Sequence, residues 1–197
     1  GVPFHGFLQA IGWSAHRTPT IDEYRWLAHS HFVFGAKQLS YFYYQAPYVD
    51  GGPEGFVTAL VDYDGNKTEL YDNAKTVNAE LAAMSPAFMA FDHRTFMTAG
   101  FDEFELEQMG IGDAVPVFGG ASLSGEDKIV AGCFEKGDLN GFYVMNYSFE
   151  ESAGGVLDLG RERRYEIWDG TGLAKSGSAD QLEIELKAGQ AVFVVVE

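Results

Sequence analysis

The chain of 197 residues is too short for a complete (β/α)8 barrel, which needs roughly 250 residues, and long enough for one large domain or two small ones. With 46% apolar, 15% aromatic and 21% charged residues it has the composition of a globular protein with a sizeable core, not of a disordered one. A formal charge of −16 makes nucleic acid or an anionic membrane surface an unfavourable partner, because the long-range field is repulsive.

One cysteine, Cys133, rules out an internal disulfide. No apolar run approaches the ~20 residues that span a bilayer, and the first ten residues carry no basic flank ahead of a hydrophobic segment. These features favour a soluble, cytoplasmic chain. The chain also begins directly on a core-like run, Phe4, Phe7, Leu8, Ala10 and Ile11, as a fragment does.

In chain order, Phe4 to Trp13 reads as a short buried strand interrupted by Gly6 and ended by Gly12. Thr20-Ile21-Asp22-Glu23 is a Thr-x-x-Glu capping box, which places a helix start there. The face that follows carries Tyr24, Leu27, Ala28, His31 and Phe32, and Gly35 is placed for a left-handed end. Lys37 to Tyr44 is a second apolar strand. Together they make a strand, helix, strand unit of the parallel kind.

A Pro/Gly loop, Ala46 to Gly55, and a turn at Asp64-Gly65-Asn66 lead to a second helix from Thr68. Its stripe is Leu70, Ala74, Val77, Leu81 and Met84, and it is expected to end near Ser85-Pro86. The first 90 residues thus hold about two of the eight βα units of a barrel.

Beyond Phe91 the period changes to two. Strands are expected at Lys128 to Phe134, Gly141 to Tyr147, Gly155 to Leu159, Arg163 to Trp168, Gln181 to Leu186 and Gln190 to Val196. Short strands at this spacing imply an antiparallel β-sandwich. The expected fold is therefore α/β plus all-β, with residues 1–90 as the barrel-like part and residues 91–197 as a sandwich that holds most of the excess negative charge.

The soft metal-ligand candidates are His5, His16, His29, His31 and Cys133. His29-x-His31 places two side chains on different faces of a helix, so no metal site is assigned. Asp62 to Asn66 lacks the Gly and Glu of a calcium loop and reads as a turn. Asn66-Lys67-Thr68 and Asn146-Tyr147-Ser148 match the glycosylation pattern, which carries little weight without a secretion signal. There is no G-x-S-x-G, P-loop or G-x-G-x-x-G, and no cofactor is implied.

The distinctive chemistry gathers at the two predicted strand ends. Gln9, Trp13 and His16 follow the first; Tyr41, Tyr43, Tyr44 and Gln45 end the second, with Tyr48, Asp50 and Glu54 beyond. In parallel α/β folds ligands bind at strand ends. Aromatic faces among amide and carboxylate groups suit sugars, whose C–H faces stack on rings while their hydroxyls take hydrogen bonds. Gln9, Trp13, His16, Tyr44, Gln45 and Glu54 are the candidate carbohydrate-binding residues. Aromatic core packing beneath a solvated loop accounts for the same composition equally well.

The run Phe34-Gly35-Ala36-Lys37-Gln38-Leu39-Ser40-Tyr41-Phe42-Tyr43-Tyr44-Gln45, followed by Pro53-Glu54-Gly55-Phe56 and by Val61-Asp62 before Asp64-Gly65, resembles the last βα units of a clan A glycoside hydrolase barrel. It is most similar to the family 42 β-galactosidases. Ile129 to Phe134, Val144 to Ser148 and Trp168-Asp169-Gly170 resemble the β-sandwich appended to many such barrels. The resemblance implies that Phe4 to Gly12 is barrel strand seven, where the family carries its nucleophilic Glu. Leu8-Gln9 fills that place, and an amide cannot be the anionic nucleophile of a retaining mechanism. It further implies that Tyr44 stands at a strand-end sugar platform and that Glu54 falls on a family Glu. The family's general acid lies on strand four, outside this chain.

A C-terminal part of a carbohydrate-active barrel enzyme, inactive on its own, is the resulting expectation. A noncatalytic carbohydrate-binding or structural module is the alternative. Open strand edges would be buried by a homo-oligomer or by a missing N-terminal half.

Overall fold

In a computed structural model of the chain, the structure describes residues 4–14, 16–110 and 114–197. Strand β1 (His5–Gln9) leads into helix α1 (Ile21–Phe32) and then to strand β2 (Gln38–Phe42), which pairs parallel to β1 with His5 opposite Gln38 and Gln9 opposite Phe42. This is the parallel strand, helix, strand unit the sequence implies.

The start of α1 is fixed by the expected capping box. The Thr20 hydroxyl accepts from the Glu23 amide and the Glu23 carboxylate accepts from the Thr20 amide. At its other end Ala36 N–H reaches the His31 carbonyl at 3.1 Å and Gly35 N–H the Phe32 carbonyl at 2.9 Å. Gly35 adopts a φ of 93°, the left-handed conformation this closure requires. The buried face of α1 is Tyr24, Ala28, His29 and Phe32. His29, not the expected His31, is the core histidine. His31 instead lies over Gly6, where any Cβ would stand 1.8 Å from its ring, which explains the glycine inside β1.

Helix α2 (Glu69–Phe88) buries the predicted stripe and extends it through Ala87 and Phe88. It runs past Pro86, where the sequence implies an end. The proline removes the amide that would meet the Ala82 carbonyl, and the Ser85 hydroxyl donates to that carbonyl at 2.9 Å instead. Lys37 reaches the carbonyls at the C-terminal end of α2, among them Phe88 and Phe91, placing a cation at the negative end of the helix dipole.

Beyond α2 the chain builds a seven-stranded antiparallel sheet from β3 (Asp92–Ala99), β4 (Ser122–Ser124), β5 (Ile129–Lys136), β6 (Leu139–Asn146), β7 (Ala153–Asp169), β8 (Gly172–Leu186) and β9 (Ala191–Val196). The order is β3-β5-β6-β9-β7-β4, with β8 on β7. A short helix α3 (Glu103–Met109) follows β3. β3 and β4 are not expected from the sequence pattern; α3 is not expected either, although Asp102-x-x-Glu105 is a capping box at its start and Gly110 a left-handed cap at its end. The two strands expected at Gly155 to Leu159 and Arg163 to Trp168 are one strand, β7, with a break in register between Asp158 and Arg163. Its first part pairs with β4 and its second with β9, while β8 follows it throughout.

The central strands are buried on both faces, which is why they read as nearly continuous apolar runs. Val130, Phe134, Tyr143, Met145 and Phe193 pack with Tyr24, Ala28 and Phe32 of α1 and with the α2 stripe. Ile129, Ala131, Cys133, Phe142, Val144 and Val194 pack on Leu157, Leu182 and Ile184 of β7 and β8. The change of architecture near residue 90 is thus spanned by one apolar cluster. Gly132 lets the end of α1 approach the sheet, since a Cβ there would stand 1.9 Å from the Val33 carbonyl oxygen.

The β1–β2 pair differs from the buried strands the sequence implies. Phe7 is 61% exposed, and Phe4, Phe42, Tyr43 and Tyr44 are also exposed. Among the described residues neither outer edge of the pair meets another strand. Parallel strands are normally covered on both faces.

Candidate functional site

The C-terminal ends of β1 and β2 are tied together by their loops. Gly12 N–H donates to the Thr58 carbonyl at 3.1 Å, Val57 N–H to the Gly12 carbonyl at 2.7 Å, and Ser14 N–H to the Gly55 carbonyl at 3.1 Å. Trp13 and His16 exchange backbone hydrogen bonds across a tight turn, in which Ser14 has a φ of 49°. Their rings meet edge to face at 4.6 Å. Trp13 leans on Phe42 at the end of β2, Phe42 on Tyr43, and Tyr43 on Phe56 at 4.9 Å, so an aromatic ladder crosses both strand ends.

Beside this ladder lies a groove of about 490 Å³ lined by Gln9, Trp13, His16, Arg17, Pro19, Glu23, Trp26, Leu27 and Phe149. A volume of this size is in the range of small-ligand sites, roughly 300–1,000 Å³. Three of the six residues singled out in the sequence, Gln9, Trp13 and His16, come together here. Gln45 and Tyr44 do not line it: the Gln45 amide donates to the Tyr63 carbonyl at 3.0 Å, and Tyr44 is 61% exposed. Glu54 is exposed on the turn from Gly51 to Phe56. The groove also uses residues the strand-end reasoning misses. Glu23 and Trp26, three apart on α1, mark a helix face beside the expected stripe, and Leu27, expected in that stripe, is half-buried and lines the groove. Phe149 comes from the loop after β6 and carries no sequence signal.

The polar groups of the groove are already oriented. The Gln9 amide nitrogen donates to the carbonyls of Arg17 at 2.8 Å and Ile11 at 3.1 Å, leaving the amide oxygen as a fixed acceptor. The Trp26 indole N–H donates to the Tyr147 carbonyl at 3.1 Å, which holds its ring edge to face with Tyr147 and Phe149. Arg17 forms a two-pronged pair with Glu23. Its guanidinium, with the Thr20 amide and hydroxyl, holds the Glu23 carboxyl below the usual range. Glu23 therefore stays ionised and engaged. It is the one carboxylate lining the groove among the described residues, whereas glycoside hydrolysis takes a pair of carboxyl groups about 5 to 9.5 Å apart, one protonated as an acid.

Other candidates resolve into structural roles. Cys133 is fully buried, and burial pushes its thiol up to about 12. Among the described residues no group of three or more His, Cys, Asp or Glu side chains is placed to hold a metal ion. Asn146, in one of the two glycosylation-like triplets, is fully buried. Its amide donates to the carbonyls of Glu151 and Lys187 and accepts from the Ser148 amide, so it braces the loop carrying Phe149. Asp62 closes the expected turn by accepting from the Asn66 amide at 2.7 Å. No helix among the described residues is long and apolar enough to cross a membrane.

No protein-family model matches the sequence, and no curated protein matches it. Among solved structures the chain is similar to a GH30 endoxylanase from Clostridium papyrosolvens C71, with a TM-score of 0.37 and 8% identity over 90% of this chain. It is also similar to Xyn30A, a glycoside hydrolase family 30 subfamily 8 xylanase from Clostridium acetobutylicum, with a TM-score of 0.34 and 11% identity over 90% of this chain. Both are glycoside hydrolases, of family 30 and not of family 42, and the chain spans 38% of the length of each.

Proposed function

We propose that this chain is the C-terminal part of a glycoside hydrolase, contributing the last two βα units of a (β/α)8 barrel and a β-sandwich, and that alone it binds carbohydrate without cleaving it. The observation that carries this reading is the β1–β2 pair: two parallel strands whose outer edges meet no other strand among the described residues, with exposed aromatic side chains, ending in a groove of aromatic and amide groups. Strands like these are stable as part of a larger parallel sheet, and further barrel strands would cover both edges. The kinship with family 42 rests on the sequence pattern.

The binding half of the proposal rests on Trp13 and Trp26 as ring surfaces and on Gln9 and His16 as hydrogen-bonding groups. The inactivity rests on the single, paired carboxylate of Glu23 and on Gln9 standing where a nucleophilic Glu is expected. Incubated with aryl galactosides and aryl glucosides, the isolated chain is expected to give no turnover. Turnover by the wild-type chain contradicts the reading, and its loss in Gln9→Ala or Glu54→Gln would place that activity in this chain's own residues.

A further inference from the structure

The loop after β6 that supplies Phe149 to the strand-end groove supplies it to a second groove as well. That cavity, of about 500 Å³, is lined by Phe101, Phe104, Gln108, Met109 and Tyr147, among others, and by Phe149 on the shared wall. Its aromatic surface is continuous with the first. Trp26 meets Phe149 at 5.9 Å and Tyr147 at 5.3 Å, and Tyr147 meets Phe101 at 5.4 Å. Phe104, on α3 and 67% exposed, lines the second groove and not the first.

Charge narrows the occupant. The cation of each groove is neutralised within it, Arg17 by Glu23 and Lys128 by Glu105. Glu150, beside Phe149, donates its backbone N–H to the Ser148 hydroxyl, while its carboxylate accepts no hydrogen bond among the described contacts and adds negative charge. Among the described residues no Lys or Arg lining either groove is left unpaired to receive an acidic sugar, and the chain as a whole carries −16. What remains is ring faces and hydrogen-bonding groups of no net positive charge, the complement of an uncharged, hydroxyl-rich chain.

We propose that the two grooves form one binding track for a neutral oligosaccharide, running from the strand ends past Phe149 onto the surface formed by α3 and the start of β5, so that the ligand is a polysaccharide segment and not a single sugar. This rests on the carbohydrate reading given above. Each groove alone has the volume of a small-ligand site, and together they hold several sugar units in line.

The test is titration calorimetry with neutral β-linked oligosaccharides, from disaccharide to hexasaccharide, on wild type, Trp13→Ala and Phe104→Ala. Phe104 is exposed and its truncation leaves both apolar clusters intact. Affinity is expected to rise with length; Phe104→Ala should weaken hexasaccharide binding about five- to tenfold, the effect of one aromatic contact, with disaccharide binding unchanged. Trp13→Ala should weaken every length. Hexasaccharide binding that is lost with Trp13 but unmoved by Phe104→Ala overturns the track and leaves carbohydrate binding standing. Tighter binding of an acidic polyuronate also overturns it, and no binding at any length overturns both readings.

Discussion

His29 is 2% exposed, and its Nδ1 lies 2.7 Å from the Tyr143 hydroxyl, which is itself fully buried. That hydroxyl has no other partner among the described contacts, so the arrangement that satisfies it has Tyr143 donating to an unprotonated Nδ1. Burial, reinforced by the Arg25 cation, pushes the imidazole down to about 3. In the unfolded chain the same group titrates near its ordinary value of about 6.5. Between these values the unfolded state binds a proton that the native state refuses. The stability held above the upper value is therefore lost as pH falls through the window. At about 1.4 kcal/mol per pH unit, moving from about pH 7.5 to about pH 4.5 costs roughly 2.7 kcal/mol from this one group.

Urea unfolding followed by tryptophan fluorescence at both pH values, on wild type and His29→Gln, measures the effect. The glutamine keeps an acceptor for Tyr143 but does not titrate, and the carboxylates common to both proteins cancel in the difference. Wild type should lose about 2 to 3 kcal/mol more than the variant. Equal losses would refute the claim that His29 is held neutral in the core.

Three further outcomes follow from the packing. Gly132→Ala should cost at least about 2 kcal/mol in denaturant unfolding, because the new methyl meets the Val33 carbonyl and not a movable side chain; Gly137→Ala, with open space around it, should cost only about the 1 to 2 kcal/mol of a left-handed backbone. Thr20→Ala should remove about 1 kcal/mol, read in the same assay, since it breaks half of the capping box at α1. Cys133 should react with an aromatic disulfide reagent in native buffer no faster than the protein unfolds; labelling at the rate of a free thiol contradicts its place in the core.

What could be read in advance was what local chemistry decides. Thr20 and Glu23 announce α1, and the α2 stripe from Leu70 to Met84 sits where its period puts it, because cap and stripe act within a few residues. The end expected at Ser85-Pro86 does not occur, because the Ser85 hydroxyl takes the Ala82 carbonyl that Pro86 cannot, an interaction a breaker rule does not include. Gly160-Arg161-Glu162 reads as a charged turn, whereas β7 runs on through it as an irregularity at which pairing with β8 lapses after Asp158 and resumes at Arg163. β3 stayed hidden because its polar residues lie on partly exposed positions and its place depends on pairing with β5, far along the chain. The site divided in the same way: Gln9, Trp13 and His16 share one strand end and its turn, while Phe149 joins them only through tertiary packing. Tyr44, Gln45 and Glu54 belong to the same chain region but do not line the groove.

The central claim is that carbohydrate sits at the strand ends against Trp13 and Trp26. The chain has 3 tryptophans, and the third, Trp168, lies on β7 with its indole N–H donated to Glu166, away from the groove. Titrating a neutral oligosaccharide while following the indole N–H resonances therefore tests the claim directly. With sugar seated against both rings, the signals of Trp13 and Trp26 move together and saturably while that of Trp168 stays fixed. Motion of Trp168 alone, or no motion at saturating sugar, would contradict it.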